Sequence, residues 1–312
     1  MKEAVLITYM GAPSTTKEIK PFLYRLFSDR DLINFGVPPF FQKPLAYLIA
    51  TFRTPKVKPQ YEAIGGGSPL VANTLEQIRL VEERLGLKTY VGMLYSEPLL
   101  ERVTKEIGID GVDKLYHMTL YPHFSYGTVG ACIRDVEKLL NGRVAVIKHV
   151  KSWALNPLYI QWIREQIGKK LKKLDSEKTA VLFSAHSIPV YFVKEKKDPY
   201  PREILATVRE VMKSFPGFVY RISYQSKVGP IDWLKPTTEE LLYELKREGF
   251  ENVVVFPISF VSEHIETLYE LDIEYGNLAR TLGIRYYRVR LNHKHPLLIG
   301  AIVDEINKLR KE

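Results

Sequence analysis

Glu266, Glu270 and Glu274 recur at every fourth position in the segment Ser262-Glu263-His264-Ile265-Glu266-Thr267-Leu268-Tyr269-Glu270-Leu271-Asp272-Ile273-Glu274. On a helix this spacing stacks three carboxylates on one face, with roughly 6 Å of rise from each to the next. Like charges so placed repel by a few tenths of a kcal/mol per pair. Such a column is what a hard or borderline cation would follow. The preceding run, Val253-Val254-Val255-Phe256-Pro257-Ile258-Ser259-Phe260-Val261, is apolar and reads as a parallel strand buried on both faces, with Ser262 as N-cap of the helix after it. Glu263 and Glu266 fall in the first turn, where acids complement the helix dipole. Glu270 and Glu274 lie too far along for that role, and their alternative is a solvated face. Leu268, Leu271 and Tyr275 are predicted to face the core on a separate stripe.

In open α/β sheets, ligands bind beyond the C-terminal ends of the strands. Those ends read Tyr9-Met10-Gly11-Ala12-Pro13, Tyr121-Pro122-His123-Phe124-Ser125-Tyr126, Phe183-Ser184-Ala185-His186-Ser187, Tyr224-Gln225-Ser226-Lys227 and Phe260-Val261-Ser262-Glu263-His264. Three of the chain's 7 histidines gather there. His186 leaves a buried strand, so it is either a packed, hydrogen-bonded imidazole or a base or metal ligand. A neighbouring carboxylate helix favours the second. Imidazole and carboxylate together hold ferrous iron loosely, as a site that passes its metal on requires. Gly65-Gly66-Gly67-Ser68-Pro69 lacks a Walker lysine and Gly11-Ala12-Pro13 lacks the dinucleotide spacing, so both are predicted to be tight turns. Arg53-Thr54-Pro55-Lys56 is either a cationic clamp for ligand carboxylates or a solvated basic turn.

These groups need strands and helices to hold them. Candidate strands are 4–9, 89–95, 114–121, 144–149, 180–186, 219–225, 252–260 and 285–291. Helical patterns cover 75–85, 129–140, 158–174, 202–215, 238–248, 263–282 and 296–309. The alternation predicts an α/β fold of two Rossmann-like lobes, each a four-stranded parallel sheet flanked by helices, with a central cleft. One eight-stranded sheet is the alternative. The lobes are expected at 1–152 and 153–312, the last helix (296–310) packing back toward the first. Residues 31–52 break the pattern. Leu32 to Phe41 is apolar and aromatic but punctuated by Gly36 and the pair Pro38-Pro39, which predicts neither a regular helix nor a central strand. It is either an insertion tucked onto the body or a greasy lip for a flat apolar ligand or a membrane surface.

A chain of 312 residues has room for one or two cored domains. The formal charge of +9 suits anionic lipid or an acidic small molecule. No basic stripe interleaved with aromatics and no zinc-finger spacing is present, which argues against nucleic acid. Cys132 is the only cysteine, so an intramolecular disulfide or an iron–sulfur cluster held by this chain's thiolates is not expected. The N-terminus enters a strand pattern at once, and no apolar run is long enough to span a bilayer; a cytoplasmic location is expected.

Phe183-Ser184-Ala185-His186-Ser187-Ile188-Pro189, Asp198-Pro199-Tyr200-Pro201, Tyr224-Gln225-Ser226-Lys227-Val228-Gly229-Pro230 and Ser262 to Glu274 resemble motifs of the ferrochelatases. Residues 26–32, 53–56 and 65–69 look like that family's N-terminal half, and the likeness covers nearly the whole chain. The resemblance implies insertion of ferrous iron into protoporphyrin IX, with iron as substrate, no permanent cofactor, and a possible peripheral membrane contact through 31–52. It further implies that His186 and Glu266 bind metal and accept protons and that Glu270 and Glu274 conduct iron inward. Met10 stands beside the macrocycle in this likeness, where methionine marks the protoporphyrin-using branch and tyrosine the coproporphyrin branch. Arg53, Tyr61, Tyr121, Tyr224, Ser226 and His264 are the further substrate contacts expected. Leu94 departs from the pattern, because the family usually carries arginine there. The rival readings are a chelatase for coproporphyrin, cobalt or nickel, and a non-catalytic tetrapyrrole or metal carrier.

Overall fold

A computed structural model describes every residue except Asp31, Asn34, Val228 and Pro230. The chain divides into two compact units, residues 1–121, 126–151 and 302–312 forming one, and residues 122–125 and 152–301 the other. The expected boundary at 152/153 therefore differs at residue 152 and at residues 122–125. Residues 122–125 belong with the second unit, where the Phe124 amide donates to Glu203 Oε2 at 2.7 Å and the Ser125 hydroxyl to Asp198 Oδ2 at 2.8 Å. The final residues, 302–312, group with the first.

The first unit holds β1 (Glu3–Tyr9), α1 (Ile19–Ser28), α2 (Pro39–Ala63), α3 (Leu70–Leu85), β2 (Thr89–Met93), α4 (Leu100–Ile109), β3 (Lys114–Thr119), α5 (Val129–Leu140) and β4 (Val146–His149). Its sheet is parallel throughout, in the order β2-β1-β3-β4. The second unit holds α6 (Pro157–Leu171), β5 (Thr179–His186), α7 (Val190–Lys194), α8 (Tyr200–Met212), β6 (Val219–Gln225), α9 (Thr238–Arg247), β7 (Asn252–Pro257), a π-helix (Glu266–Glu274), α10 (Tyr275–Thr281) and β8 (Arg285–Arg288). Its sheet is also parallel, in the order β6-β5-β7-β8, and α11 (Pro296–Lys311) ends the chain.

Strands β5 and β7 are buried along almost their whole length, as sequences such as TAVLFSA and NVVVFP require when helices cover both faces. Their side chains alternate between faces. Ala180, Leu182, Val253 and Val255 pack with Leu241, Leu242 and Leu245 of α9, Leu271 of the π-helix, Ala279 and Ile284. On the opposite face, Phe183 and Phe256 meet at 6.3 Å and Phe256 meets Trp162 of α6 at 5.8 Å. Helix starts follow local chemistry: Asn156 accepts from the Leu158 and Tyr159 amides, and Thr237 with Glu240 forms a capping box.

Residues 31–52 are corrected. Pro38 caps α2 and Pro39 is its first residue, so the proline pair starts a helix of 25 residues that also contains Pro44, Pro55 and Pro59. All three interior prolines are exposed, so the carbonyls they leave unpaired can be hydrated. The buried side presents Ala46 and Ala50, small enough for close approach to α1, and Gln42 donates to the carbonyls of Phe27 and Ile33. Arg53-Thr54-Pro55-Lys56 is thus helical rather than a basic turn. Asp31 and Asn34 of the lip, and Val228 and Pro230 of the quoted 224–230 motif, lie outside the described residues.

The predicted glycine turns are present. Gly11 has φ +81, and a Cβ there would lie 2.1 Å from Ser96 Oγ. A Cβ on Gly67 would lie 1.9 Å from the Ser14 carbonyl oxygen, and the adjacent Ser68 amide donates to the Pro13 carbonyl at 2.8 Å. The two turns are clipped together by backbone contact, which explains their small residues without any phosphate.

Candidate functional site

Strand order reverses between β5 and β7, since β6 lies on one side of β5 and β8 lies beyond β7. That switch point is where a doubly wound sheet opens a crevice past its strand ends. His186 is the last residue of β5 and pairs in register with Gln225 of β6. Being two and four residues beyond Ser184 and Leu182, it points to the same face as they do, toward α9 and the π-helix. Its backbone is held on both sides. The His186 amide donates to Ser259 Oγ at 3.0 Å, and its carbonyl accepts from the Tyr200 hydroxyl at 3.0 Å. Tyr200 and Ser259 are themselves joined at 2.6 Å. Strand β7 stops at Pro257, not at Phe260 as expected, and the turn that follows delivers Ser259 and Phe260 to this point.

The helix after β7 also differs from expectation. Ser262 does not cap it; regular helix starts past His264, and Glu266–Glu274 form a π-helix rather than an α-helix. Such segments concentrate at functional sites. Leu271 is buried and Tyr275 packs on the same core, whereas Leu268 lies only half-buried and outside that cluster. Glu263 is not simply a dipole acid: its carboxylate accepts from Arg288, the Leu291 amide and the Thr267 hydroxyl.

The imidazole and the acidic column meet. His186 Nδ1 lies 2.8 Å from Glu266 Oε2. Burial disfavours the imidazolium, yet the Glu266 carboxylate, its hydrogen bond and then Glu270 outweigh burial and raise the His186 pKa. Burial likewise works against the Glu266 carboxylate, but His186 foremost, then His264, hold its pKa well below the usual range. Each partner thus favours the charged form of the other. His264 packs on Phe260, whose ring it meets edge-on at 4.1 Å while His186 meets it at 6.4 Å. His264 Nδ1 is 3.3 Å from the Ser262 carbonyl, which can only accept, so Nδ1 carries the proton. Its buried Nε2 has no hydrogen-bond partner and stands 3.7 Å from Glu266 Oε2.

Further along, Glu270 Oε2 accepts from the Ser226 hydroxyl at 2.5 Å and from Gln225 Nε2 at 3.1 Å. Gln225 also donates to the Glu266 carbonyl at 3.3 Å and accepts from the Ser184 hydroxyl at 2.6 Å, which fixes the orientation of its amide. Ser226 adopts φ +66, unusual for a residue with a Cβ, and this turn aims its hydroxyl at the carboxylate. Burial and the charge of Glu266 push the Glu270 pKa up to about 7, against the pull of Ser226 and His186. Glu274 is exposed, with its pKa raised by burial. The column thus runs from a carboxylate locked to an imidazole, through one that carries a proton part of the time, to one in solvent.

Of the residues expected at the site, His186, Glu266 and His264 meet directly, and Ser226 joins them through Glu270. Tyr224 pairs with Ala185 in register on β6, its hydroxyl pKa raised by burial. The remaining four belong to the first unit. Met10 follows β1 and is half-buried, and Tyr121 follows β3 with its ring 4.4 Å from Tyr9. Arg53 is half-buried midway along α2, and Tyr61 is buried in its last turn. Leu94 packs against the core of the first sheet with Leu6, Tyr90 and Leu100, an apolar setting that explains leucine at that position. Gln225, Tyr200, Ser259 and Phe260 were not singled out as site residues, although each lies inside a segment that was. Among the described residues no group of three or more His, Cys, Asp or Glu side chains is arranged to hold a metal ion.

The fold resembles solved chelatase structures. SirB from Bacillus subtilis with Fe3+ aligns with a TM-score of 0.59 at 11% identity, covering 99% of this chain and 95% of that one. The sirohydrochlorin chelatase SirB with cobalt aligns at 0.56 and 12%, covering 100% of this chain and 96% of that one. Sequence likeness is much stronger. A protein named ferrochelatase from Synechococcus elongatus is 41% identical over 97% of this chain and 81% of its own length. Its namesake from Gloeobacter violaceus is 40% identical over 91% of this chain and 90% of its own. The family model described as Ferrochelatase matches residues 2–309, a span that takes in both sheets, His186 and the whole acidic column, and the chain is a member of the ferrochelatase family.

Proposed function

We propose that the protein inserts ferrous iron into protoporphyrin IX, releasing two protons and giving protohaem for haem synthesis. The observation that carries this reading is the 2.8 Å hydrogen bond between His186 and Glu266 at the switch point of the second sheet, with Glu270 and Glu274 leading away from it. Iron binding requires a neutral imidazole and an ionised carboxylate, so arrival of the metal displaces the proton that joins them. Nitrogen and oxygen donors without thiolate hold iron weakly enough to release it. The two pyrrole protons need acceptors in the same place. In the neutral imidazole, whose Nδ1–H points at Glu266, His186 Nε2 is one. The buried Nε2 of His264 stands beside Glu266, 3.7 Å from its Oε2. Glu270, with a pKa of about 7, can then pass a proton toward Glu274 and solvent. Binding energy from the rest of the macrocycle would tilt its nitrogens toward this face. Iron is a substrate here, and the chemistry calls for no resident cofactor.

We also infer that the protein contacts a membrane surface through α2. Phe40, Phe41, Tyr47, Leu48 and Phe52 are all more than half exposed on that helix, interspersed with Lys43, Lys56 and Lys58. An exposed aromatic face with basic residues beside it suits an anionic bilayer interface. Among the described residues no helix is long and apolar enough to cross a membrane.

Mixing the purified protein anaerobically with protoporphyrin IX and ferrous iron should convert the porphyrin spectrum to that of haem. His186→Ala should abolish insertion while leaving porphyrin binding, read by fluorescence quenching, largely intact. Normal turnover by that variant would remove His186 from the mechanism. Faster turnover with coproporphyrin, or with cobalt or nickel in place of iron, would reassign the substrate.

A further inference from the structure

Arg288, the last residue of β8, buries its guanidinium almost completely: the side chain is 3% exposed. Its Nε and Nη2 form a fork on the two oxygens of Asp272 at 2.7 and 2.9 Å. Its Nη1 donates to Glu263 Oε1 at 2.7 Å and to the Val289 carbonyl at 3.1 Å. Glu263 is held further by the Leu291 amide at 2.7 Å and the Thr267 hydroxyl at 2.5 Å. Asp272 has a second cation, Arg290, at 2.8 Å. The two acids that Arg288 grips lie on either side of Glu266 and Glu270, one three residues before the first and the other two residues after the second. A π-helical ladder is less favourable than the α-helical one, so a segment wound this way needs outside contacts to keep it. A buried ion pair by itself is weak grounds for stability and is better explained by the geometry it specifies.

We propose that Arg288 is a positioning residue that pins the chain on both sides of Glu266 and Glu270 and so sets the spacing of the carboxylates that receive iron. This rests on the proposed role of the acidic column as the iron-binding part of the site. Arg288 touches no reacting atom. Its effect is to keep Glu266 aimed at His186 while Glu270 reaches Ser226, and loss of the fork lets the two carboxylates drift from those partners. The macrocycle, which the clamp does not touch, should bind as before.

Two variants test this. Arg288→Lys keeps a charge but not the planar fork. The triple variant Arg288→Met, Glu263→Gln, Asp272→Asn leaves no unpaired buried charge, which keeps it foldable. In anaerobic assays with iron and porphyrin varied separately, the KM for ferrous iron is expected to rise about ten- to a hundredfold in both variants, the usual cost of losing groups that orient metal ligands. The KM for porphyrin is expected to stay within about twofold, as for a change that spares the groups binding it. Failure of lysine to restore the iron KM separates the fork from the charge. A folded triple variant, or a lysine variant, with the original iron KM overturns the assignment, and so does a parallel rise in both KM values. Titration with Co2+ alone distinguishes the two levels of the argument. If His186→Ala weakens Co2+ binding and the Arg288 variants do not, the positioning role fails; if His186→Ala leaves it unchanged, the metal-site reading fails as well.

Discussion

At the scale of single residues, the site is a set of acids and imidazoles whose environments move their proton affinities apart. Glu270 is the informative case. Its folded pKa of about 7 stands above the ordinary value of 4.5, so between those limits the folded chain binds more protons than the unfolded one. Its contribution to stability is therefore present in acid and lost as pH rises toward 7. In Glu270→Gln the side-chain carbonyl still accepts from Ser226 and Gln225, but the titration is gone. The stability difference between the two proteins should change from about pH 4.5 to 7, the variant gaining relative to the parent toward the alkaline end; denaturant melts across that range would show it, and a constant difference would contradict the raised pKa. His186 and Glu266 were legible in the sequence because one ends an apolar strand and the other heads a periodic column. Gln225 and Arg288 were not, because what they do depends on partners 41 to 45 and 16 to 25 positions away in the chain.

At the scale of elements, the spacing of three glutamates identified a helix with an acidic face but not the kind of helix. A four-residue repeat keeps side chains nearly aligned on both α and π ladders, and only the hydrogen-bond register tells them apart. The core face was partly legible: Leu271 is buried against α9, while Leu268 is displaced from the expected stripe. Leu271→Ala should cost about 2–5 kcal/mol, as for other buried leucines cut to alanine. Chemical denaturation would measure it, and a loss below that range would mean that the π-helix relaxes into the space. Helix α2 departs furthest from the sequence pattern. Proline breaks a helix interior, but at Pro38 and Pro39 it starts the helix, and at Pro44, Pro55 and Pro59 it faces water. Substituting Phe40 and Phe41 with serine removes two large exposed side chains and should reduce recovery of the protein with anionic vesicles, leaving the melting temperature nearly unchanged. Equal recovery would make the aromatic face a feature of the free surface only.

At the scale of the whole molecule, the eight strands and their division into two sheets were readable, because parallel strands covered on both faces leave uninterrupted apolar runs between amphipathic helices. Residues 122–125 were harder to assign, since their membership of the second unit follows tertiary contacts rather than chain order. Residues 302–312 contribute Ile302 and Ile306, both fully buried, to the first unit, where the Leu309 carbonyl accepts from Lys148 and Arg310 pairs with Glu3. Deleting 302–312 should therefore lower stability by at least the cost of two buried isoleucines, each about 2–5 kcal/mol. A deletion protein that melts at the parental temperature would refute this. A ribosome finishes residues 302–312 only after the entire second unit has been translated, so the first unit gains the contacts of Lys148 with the Leu309 carbonyl and of Glu3 with Arg310 only then. The first unit is thus the first to be started and the last to be completed, where domains usually fold in the order of translation.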